Sequence, residues 1–350
     1  MKKVYLIMSK NPSKFLLKMV KHTLNNKDYI LIDDYKNIPN LKNKKILFAV
    51  ELDDFGGNIF IQKIFNQLFI LGKDSLKNSI GSVLIYNSKN DLYTKTMAQN
   101  IIFNANILGC TFPGRPLVEA TKSLLNMKTL ANAKNMTLKE ALFCSCDTLG
   151  NNLENFNHKK LEKPKLLVLH SSNYETSNTL RLWSMVKENL NNMDIKEIHI
   201  ANGTVRDCIG CPYTTCKHYG ENTSCFYGGI MVEEVYPAIL EADSIVWICP
   251  NYNDSIAANL KAVINRLTAL FRKTKFYDKS IFSIIVSGNS GSDAITKELI
   301  SALNINKTFK LPPNFAIMET ANDKDAILEV ENIEKKAYEF SENITDFLQK

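Results

Sequence analysis

The chain has 350 residues, long for one core, and its 45% hydrophobic and 23% charged fractions predict a soluble globular protein of two domains. A formal net charge of +7 is mild, and the lysines are scattered among acids, which argues against a nucleic-acid-binding face. No apolar run reaches bilayer-spanning length, and five apolar residues follow Met1-Lys2-Lys3. Neither a membrane span nor a secretory signal is therefore expected, a cytoplasmic location is the default, and the eight cysteines read as free thiols or ligands rather than disulfides.

Short apolar runs at Val4–Met8, Tyr29–Ile32, Ile46–Val50 and Val83–Tyr86 predict buried strands, separated by helical patterns at Phe15–Leu24, Ile59–Leu71 and Thr94–Ile107. Strands alternating with helices imply a parallel sheet covered on both faces. Thr111–Val118 carries Pro113, Gly114 and Pro116, so it reads as a late edge strand at best. The segment 121–163 reads as an irregular connector, with a short helix behind the capping-box pattern Thr137-Leu-Lys-Glu140 and a polar end closed by Pro164.

The second half repeats the order. Strands are expected at Leu166–His170, Glu197–Ala201, Ser244–Cys249, Ile281–Ser287 and Asn314–Glu319, and helices at Asn178–Leu190, Val232–Leu240, Ile256–Phe271, Asp293–Leu303 and Ala326–Leu348. Ile61, Ile64, Phe65, Asn66, Leu68 and Leu71 match Leu260, Val263, Ile264, Asn265, Leu267 and Leu270 in phase, and the following strands lie at nearly the same offset. The expected architecture is α/β, two tandem copies of a doubly wound five-stranded parallel sheet, over residues 1–120 and 164–350.

Ligands of such sheets bind outside the carboxyl ends of the strands, where strand order reverses. Three loops of the second half meet there. The first, Ser171–Thr179, is rich in hydroxyls and opens a helix at Ser177-Asn178-Thr179. The free amides and dipole of that helix favour an anion. It is neither a Walker loop nor a dinucleotide fingerprint, since both glycine patterns are missing. The others are Pro250-Asn-Tyr-Asn-Asp-Ser255 and Ser287-Gly-Asn-Ser-Gly-Ser292. A hydroxyl cradle beside a Tyr loop and a Gly/Ser loop suits a flat, polar-edged ring on a phosphate tail.

These loops resemble those of the NADPH-dependent FMN reductase family of flavodoxin-like proteins, over about residues 164–320. Ser172 and Asn178-Thr179 match the family's phosphate loop, while Tyr174 stands where an Arg is usual. Pro250-Asn251-Tyr252 matches the ring loop, with Asn253 replacing a Trp, and Leu260-Lys261 with Asn265-Arg266 match the helix that follows. The resemblance implies a flavodoxin-like fold, FMN as cofactor and NAD(P)H as co-substrate. Ser172, Ser177, Asn178 and Thr179 are expected to hold the phosphate. Pro250, Asn251, Tyr252, Asn253, Gly288 and Asn289 are expected to line the ring. The flavin carries the chemistry, so no catalytic side chain is expected. The expected activity passes electrons from a nicotinamide to a small acceptor or protein partner. A flavodoxin-type carrier without a nicotinamide site and a flavin-free regulatory or scaffolding protein stand as alternatives.

The first copy is degenerate. Its loop Ser9–Lys14 lacks the Asn-Thr, and Glu51-Leu-Asp-Asp54 puts three carboxylates where the other copy has Pro and Tyr, so no flavin is expected there. Relatives of this type dimerise beside the flavin, so the first half is expected to serve as an internal pseudo-subunit, with homo-oligomers left open. Cys208-Ile-Gly-Cys211 matches the family's Cys-x-Gly-Cys, and the family's cysteine-bearing members resemble the iron–sulfur flavoproteins, but with Cys216 and Cys225 the spacing here is wider than theirs. The four fit a [4Fe–4S] cluster, a zinc ion with His218 as spare ligand, or no metal, and their spacing leaves the three open. Lys217–Ser224 is expected to be a pliable loop. Among the five histidines, His170 ends a strand on the flavin side and reads first as a packed residue.

Overall fold

Continuous apolar runs become the central strands. Phe48, Val50, Leu84 and Ile85 in the first half, and Val246, Ile248, Ile284 and Ile285 in the second, are at most 3% exposed, because helices cover both faces of each sheet. Fully burying such a side chain stabilises the fold by about 1.5–3 kcal/mol. The computed structural model describes residues 3–25 and 27–350, and the chain packs as two units, Met1–Asn157 and His158–Lys350.

The first unit runs β1 (Val4–Ile7), α1 (Lys14–Leu24), β2 (Tyr29–Ile32), β3 (Lys45–Glu51), α2 (Ile59–Ile70), β4 (Ser79–Tyr86), α3 (Thr94–Ile107), β5 (Cys110–Thr111), β6 (Leu117–Ala120), α4 (Lys128–Lys134) and α5 (Leu138–Glu154). The strand order is β2-β1-β3-β4-β5, all parallel, with β6 also on β4. β5 meets the start of β4 and β6 meets its end, so the fifth position is one strand interrupted across Phe112–Pro116, where Pro113 and Pro116 withhold ladder N–H groups.

The segment 121–163 is mostly not a connector. Residues 121–157 belong to the first unit, and α5, a 17-residue helix with the capping box at Thr137 and Glu140, packs on α1. Ala141, Leu142, Cys146, Leu149 and Leu153 enter one core with Leu6, Leu16, Met19 and Leu47. The helices approach closely at Gly150, where a Cβ would lie 1.7 Å from the Thr23 carbonyl oxygen. The apolar stripe of α5 is narrow and the rest of its surface polar, which gives the segment its loop-like composition.

The second unit runs β7 (Lys165–His170), α6 (Asn178–Lys187), β8 (Asp194–His199), α7 (Tyr213–Glu221), a π-helical turn (Met231–Val235) leading into α8 (Tyr236–Glu241), β9 (Ser244–Tyr252), β10 (Ser255–Ile256), α9 (Ala258–Lys273), β11 (Ser280–Ser287), α10 (Ser292–Leu299), β12 (Ala316–Thr320) and α11 (Ile333–Leu348). Its parallel order is β8-β7-β9-β11-β12, with β10 turned back on β9. Numbered within each unit, both sheets have the order 2-1-3-4-5 of the flavodoxin-like fold, and the chain is a tandem of two such units. β8 begins at Asp194, three residues before its expected start. It is an edge strand whose Asp194, Lys196 and Glu197 face solvent, which hides it from an apolar-run reading. Among the described residues, no helix is long and apolar enough to cross a membrane.

Candidate functional site

The carboxyl ends of β7, β9 and β11, neighbours in the second sheet, present the three expected loops along one edge. In the first loop Ser177 caps α6, its hydroxyl accepting from Leu180 N at 3.3 Å. Thr179 Oγ1 lies 2.7 Å from Ser177 Oγ and 3.2 Å from Ser172 Oγ, so three hydroxyls converge at the start of a ten-residue helix. Ser172 and Thr179 are 1% and 2% exposed. In the same loop the Ser171 hydroxyl is buried without a partner, a donor that the protein leaves unsatisfied. Hydroxyls and first-turn amides of this kind fit a phosphate.

Asn178 sits among these residues, but its side chain is engaged elsewhere. Its Nδ2 donates to the carbonyls of Ala321 (3.2 Å) and Asp323 (2.8 Å), and its Oδ1 accepts from Ile327 N at 3.3 Å. Arg181 adds an ion pair to Asp325 at 2.9 Å. The first turn of α6 is thereby stapled to the segment following β12.

The second loop is a tight hairpin. Asn253 and Asp254 have φ of 54° and 55°, as a two-residue turn between antiparallel strands demands, and β10 pairs Ser255 with Tyr252. Pro250 is buried at the strand end, while the Tyr252 ring stands 57% exposed on the hairpin. Asn251 joins this loop to the third: its Nδ2 lies 3.0 Å from Ser287 Oγ and 2.8 Å from the Ser290 carbonyl, and its Oδ1 accepts from Asp254 N at 2.8 Å. The approach depends on Gly291, at φ +90°, where a Cβ would lie 1.9 Å from Asp254 Oδ1. At Gly288 a Cβ would meet Asn322 Oδ1 at 2.7 Å, and Asn289 is exposed beside it. Among residues outside the expected set, Asp254 carries the arrangement; it lies inside a loop singled out from sequence, but its role depends on tertiary contacts.

His170 is fully buried at the end of β7. Its ring stacks on His199 at 4.7 Å, and its Nε2 meets the Tyr174 hydroxyl at 3.2 Å. Burial, reinforced by His199, lowers its pKa to about 4, so it is neutral at pH 7.

The cysteine segment is not a pliable loop. Residues 213–221 form α7, with Cys216 in its first turn, packed on α9. A Cβ on Gly220 would lie 2.3 Å from the Ala269 carbonyl oxygen, so the helices touch backbone to backbone there. Cys208, Cys211, Cys216 and Cys225 are free thiols that line one cavity of 190 Å³ together with Arg266 and Arg272 of α9. Among the described residues, no three His, Cys, Asp or Glu side chains gather closely enough to hold one metal ion. Cys110, Cys146 and Cys249 are buried core thiols, each pushed up to about 12 by burial.

The first unit fills the same edge differently. Ser13 caps α1 by accepting from Leu16 N at 3.2 Å, and the Ser13 N–H donates to Glu51 Oε2 at 2.9 Å. Asp53 Oδ1 accepts from the amides of Phe55 and Gly57 at 3.0 and 2.7 Å. The acidic loop satisfies its own turn.

Residues 164–323 match the family model described as NADPH-dependent FMN reductase. Solved structures similar to the chain include RosB with bound 8-demethyl-8-formylriboflavin-5'-phosphate (12% identity, TM-score 0.40, 53% of this chain and 79% of that one). The NAD(P)H:quinone oxidoreductase from Methanothermobacter marburgensis is similar at 16% identity and TM-score 0.39, over 53% of this chain and 98% of that one. The azoreductase from Bacillus anthracis str. Sterne is similar at 16% identity and TM-score 0.35, over 53% and 99%. No protein of curated function matches the sequence.

Proposed function

With residues 164–323 an NADPH-dependent FMN reductase domain, we propose that the protein is an FMN-dependent NAD(P)H oxidoreductase, delivering electrons to a small acceptor or protein partner. The observation that carries this reading is the convergence of Ser172, Ser177 and Thr179 at the α6 N-terminus, in a loop that also holds the unpartnered Ser171 hydroxyl. FMN, when bound, supplies acceptance of hydride from the nicotinamide and onward transfer of electrons. The chain supplies the rest. The hydroxyls and first-turn amides would hold the phosphate, and Tyr174, hydrogen-bonded to neutral His170, stands where an Arg is usual in the phosphate loop. Asn251 locks the hairpin and the Gly288–Gly291 loop into one wall, from which Tyr252 and the loop backbone would meet the flavin. No side-chain acid or base is needed.

The four-cysteine cavity extends the reading to a [4Fe–4S] cluster held by Cys208, Cys211, Cys216 and Cys225. Four thiols set around a cavity of 190 Å³ suit a polynuclear group, for which four Cys ligands are the rule.

Anaerobic purification of the full chain, followed by FMN, iron and sulfide analysis and NAD(P)H oxidation with a quinone and with ferricyanide, tests both. Flavin and steady-state turnover are expected. A yellow protein that turns over neither nicotinamide is a carrier, and one that takes up no FMN on reconstitution is not a flavoprotein.

A further inference from the structure

Arg266 lies on α9 and is 3% exposed, yet no ion pair among the described residues includes it. One guanidinium nitrogen donates to the Gly228 carbonyl at 2.7 Å, the group lies over the Tyr227 ring at 5.9 Å, and Nε is buried with no partner. A buried cation is strongly disfavoured unless an anion compensates it. The cavity it lines supplies none, since that lining has four cysteines and no carboxylate. Arg272, the other cation of that lining, is exposed and covers Tyr213 at 4.8 Å, so water can solvate it.

We propose that Arg266 is the built-in counter-charge of the anionic group held by the four cysteines, raising its reduction potential and fixing the Cys225 arm around it. The proposal rests on the [4Fe–4S] reading above. Iron and sulfide enclosed by four thiolates carry net negative charge, and reduction adds one electron to that charge. A fixed cation in a water-poor wall therefore favours the reduced form over the oxidised one. The same residue shapes the site mechanically. Its bond to Gly228 anchors the turn that follows Cys225, and Gly228 and Gly229 reach the required φ of 56° and 65° with nothing within 4 Å. The Tyr236 hydroxyl donates to the Arg266 carbonyl at 2.7 Å.

The test compares the full-length wild type, Arg266→Gln and Arg266→Lys. Each is reconstituted anaerobically with iron and sulfide and assayed for both, with the midpoint potential read by EPR during dithionite titration. With iron in all three, the reduced-to-oxidised ratio of Arg266→Gln at fixed poise should fall at least tenfold, roughly 59 mV for a one-electron couple. Arg266→Lys should stay within tenfold of wild type. If Arg266→Gln takes up no iron, restoration of iron by Arg266→Lys supports the charge role. Equal potentials in wild type and Arg266→Gln overturn the proposal and leave the cluster reading intact. So does Arg266→Lys if it shifts as far as Arg266→Gln or, like it, takes up no iron. A wild-type chain without iron or sulfide overturns the cluster reading and this proposal with it.

Discussion

The Ser13 N–H donates to the Glu51 carboxylate at 2.9 Å, so the amide at the start of α1 already holds an anion that the chain itself provides. The matching edge of the second unit has Pro250 and Tyr252 in place of those carboxylates. The difference is one of charge rather than of fold. A carboxylate a few ångströms from a bound phosphate repels it, while one absent from the site leaves the helix dipole to act.

One FMN per chain, in the second unit, is the expected result. Ser177→Asp keeps a good N-cap while placing a carboxylate in the cradle, so it should weaken FMN binding at least tenfold, about 1.4 kcal/mol, with little loss of stability. Ser13→Asp, the same change at the α1 cap, should leave flavin content unchanged. Fluorescence titration of apo protein with FMN measures both. Two flavins per chain, or flavin lost equally in both variants, would sink the assignment.

Gly291→Ala should loosen the wall built by Asn251 and Asp254. The new methyl would overlap Asp254 Oδ1, at a backbone φ of +90° that L side chains rarely adopt. Loss of about 1–3 kcal/mol and weaker FMN binding are expected. Gly203→Ala, with φ of +80° but nothing within 4 Å, isolates the backbone strain from the collision. Melting temperatures and FMN affinity for the pair decide the matter. Equal effects at both positions would mean that the Asp254 contact contributes nothing.

Acid should destabilise the second unit through His170. Its folded pKa of about 4 lies below the ordinary 6.5, through burial first and His199 second. As pH falls, the unfolded chain takes up a proton that the folded one refuses. The contribution is therefore complete above about 6.5 and is lost progressively down to about 4, on the order of 3 kcal/mol at most. His158, also lowered to about 4 mainly by burial, acts in the same direction. The melting temperature should be flat from pH 7 to 8 and fall below 6.5, and His170→Gln should flatten that fall. An unchanged slope in the variant would remove His170 from the account.

The parallel sheets were legible because strands buried on both faces read as apolar runs. β8 was displaced because an edge strand with Asp194, Lys196 and Glu197 outward does not. α5 was read only in part, its narrow apolar stripe hidden among polar residues. The placement of the three loops at the carboxyl ends of β7, β9 and β11 was legible from hydroxyls, glycines and their positions after strands. What escaped was whatever depends on a distant partner: the empty valence of Ser171, the closeness of Asp254 to Gly291, and α7, whose bare Gly220 fits only because Ala269 presents its carbonyl there. Arg266 matched a motif residue in sequence, yet its missing counter-charge is visible only once its surroundings are.

Asn178 and Thr179 are adjacent and were assigned one task, but their contacts divide it. All three Asn178 contacts go to the chain at 321–327, so its amide braces α6. Thr179 Oγ1 faces Ser172 and Ser177 alone, in the cradle. Asn178→Ala should therefore lower stability by about 1–3 kcal/mol, leaving the Ala321 and Asp323 carbonyls and the Ile327 amide unpaired. Its effect on FMN should follow from that loosening and shrink when the protein is held well below its melting temperature. Thr179→Val preserves shape and removes the hydroxyl. It should weaken FMN binding by about 1–3 kcal/mol, the penalty of one unmade hydrogen bond in a buried site, with a smaller change in the apo melting temperature than Asn178→Ala. Apo melting temperatures and FMN dissociation constants, measured for both variants at one temperature, separate the roles. If Asn178→Ala loses flavin without losing stability, its side chain turns to the phosphate in the loaded protein, and the brace is a feature of the empty loop alone.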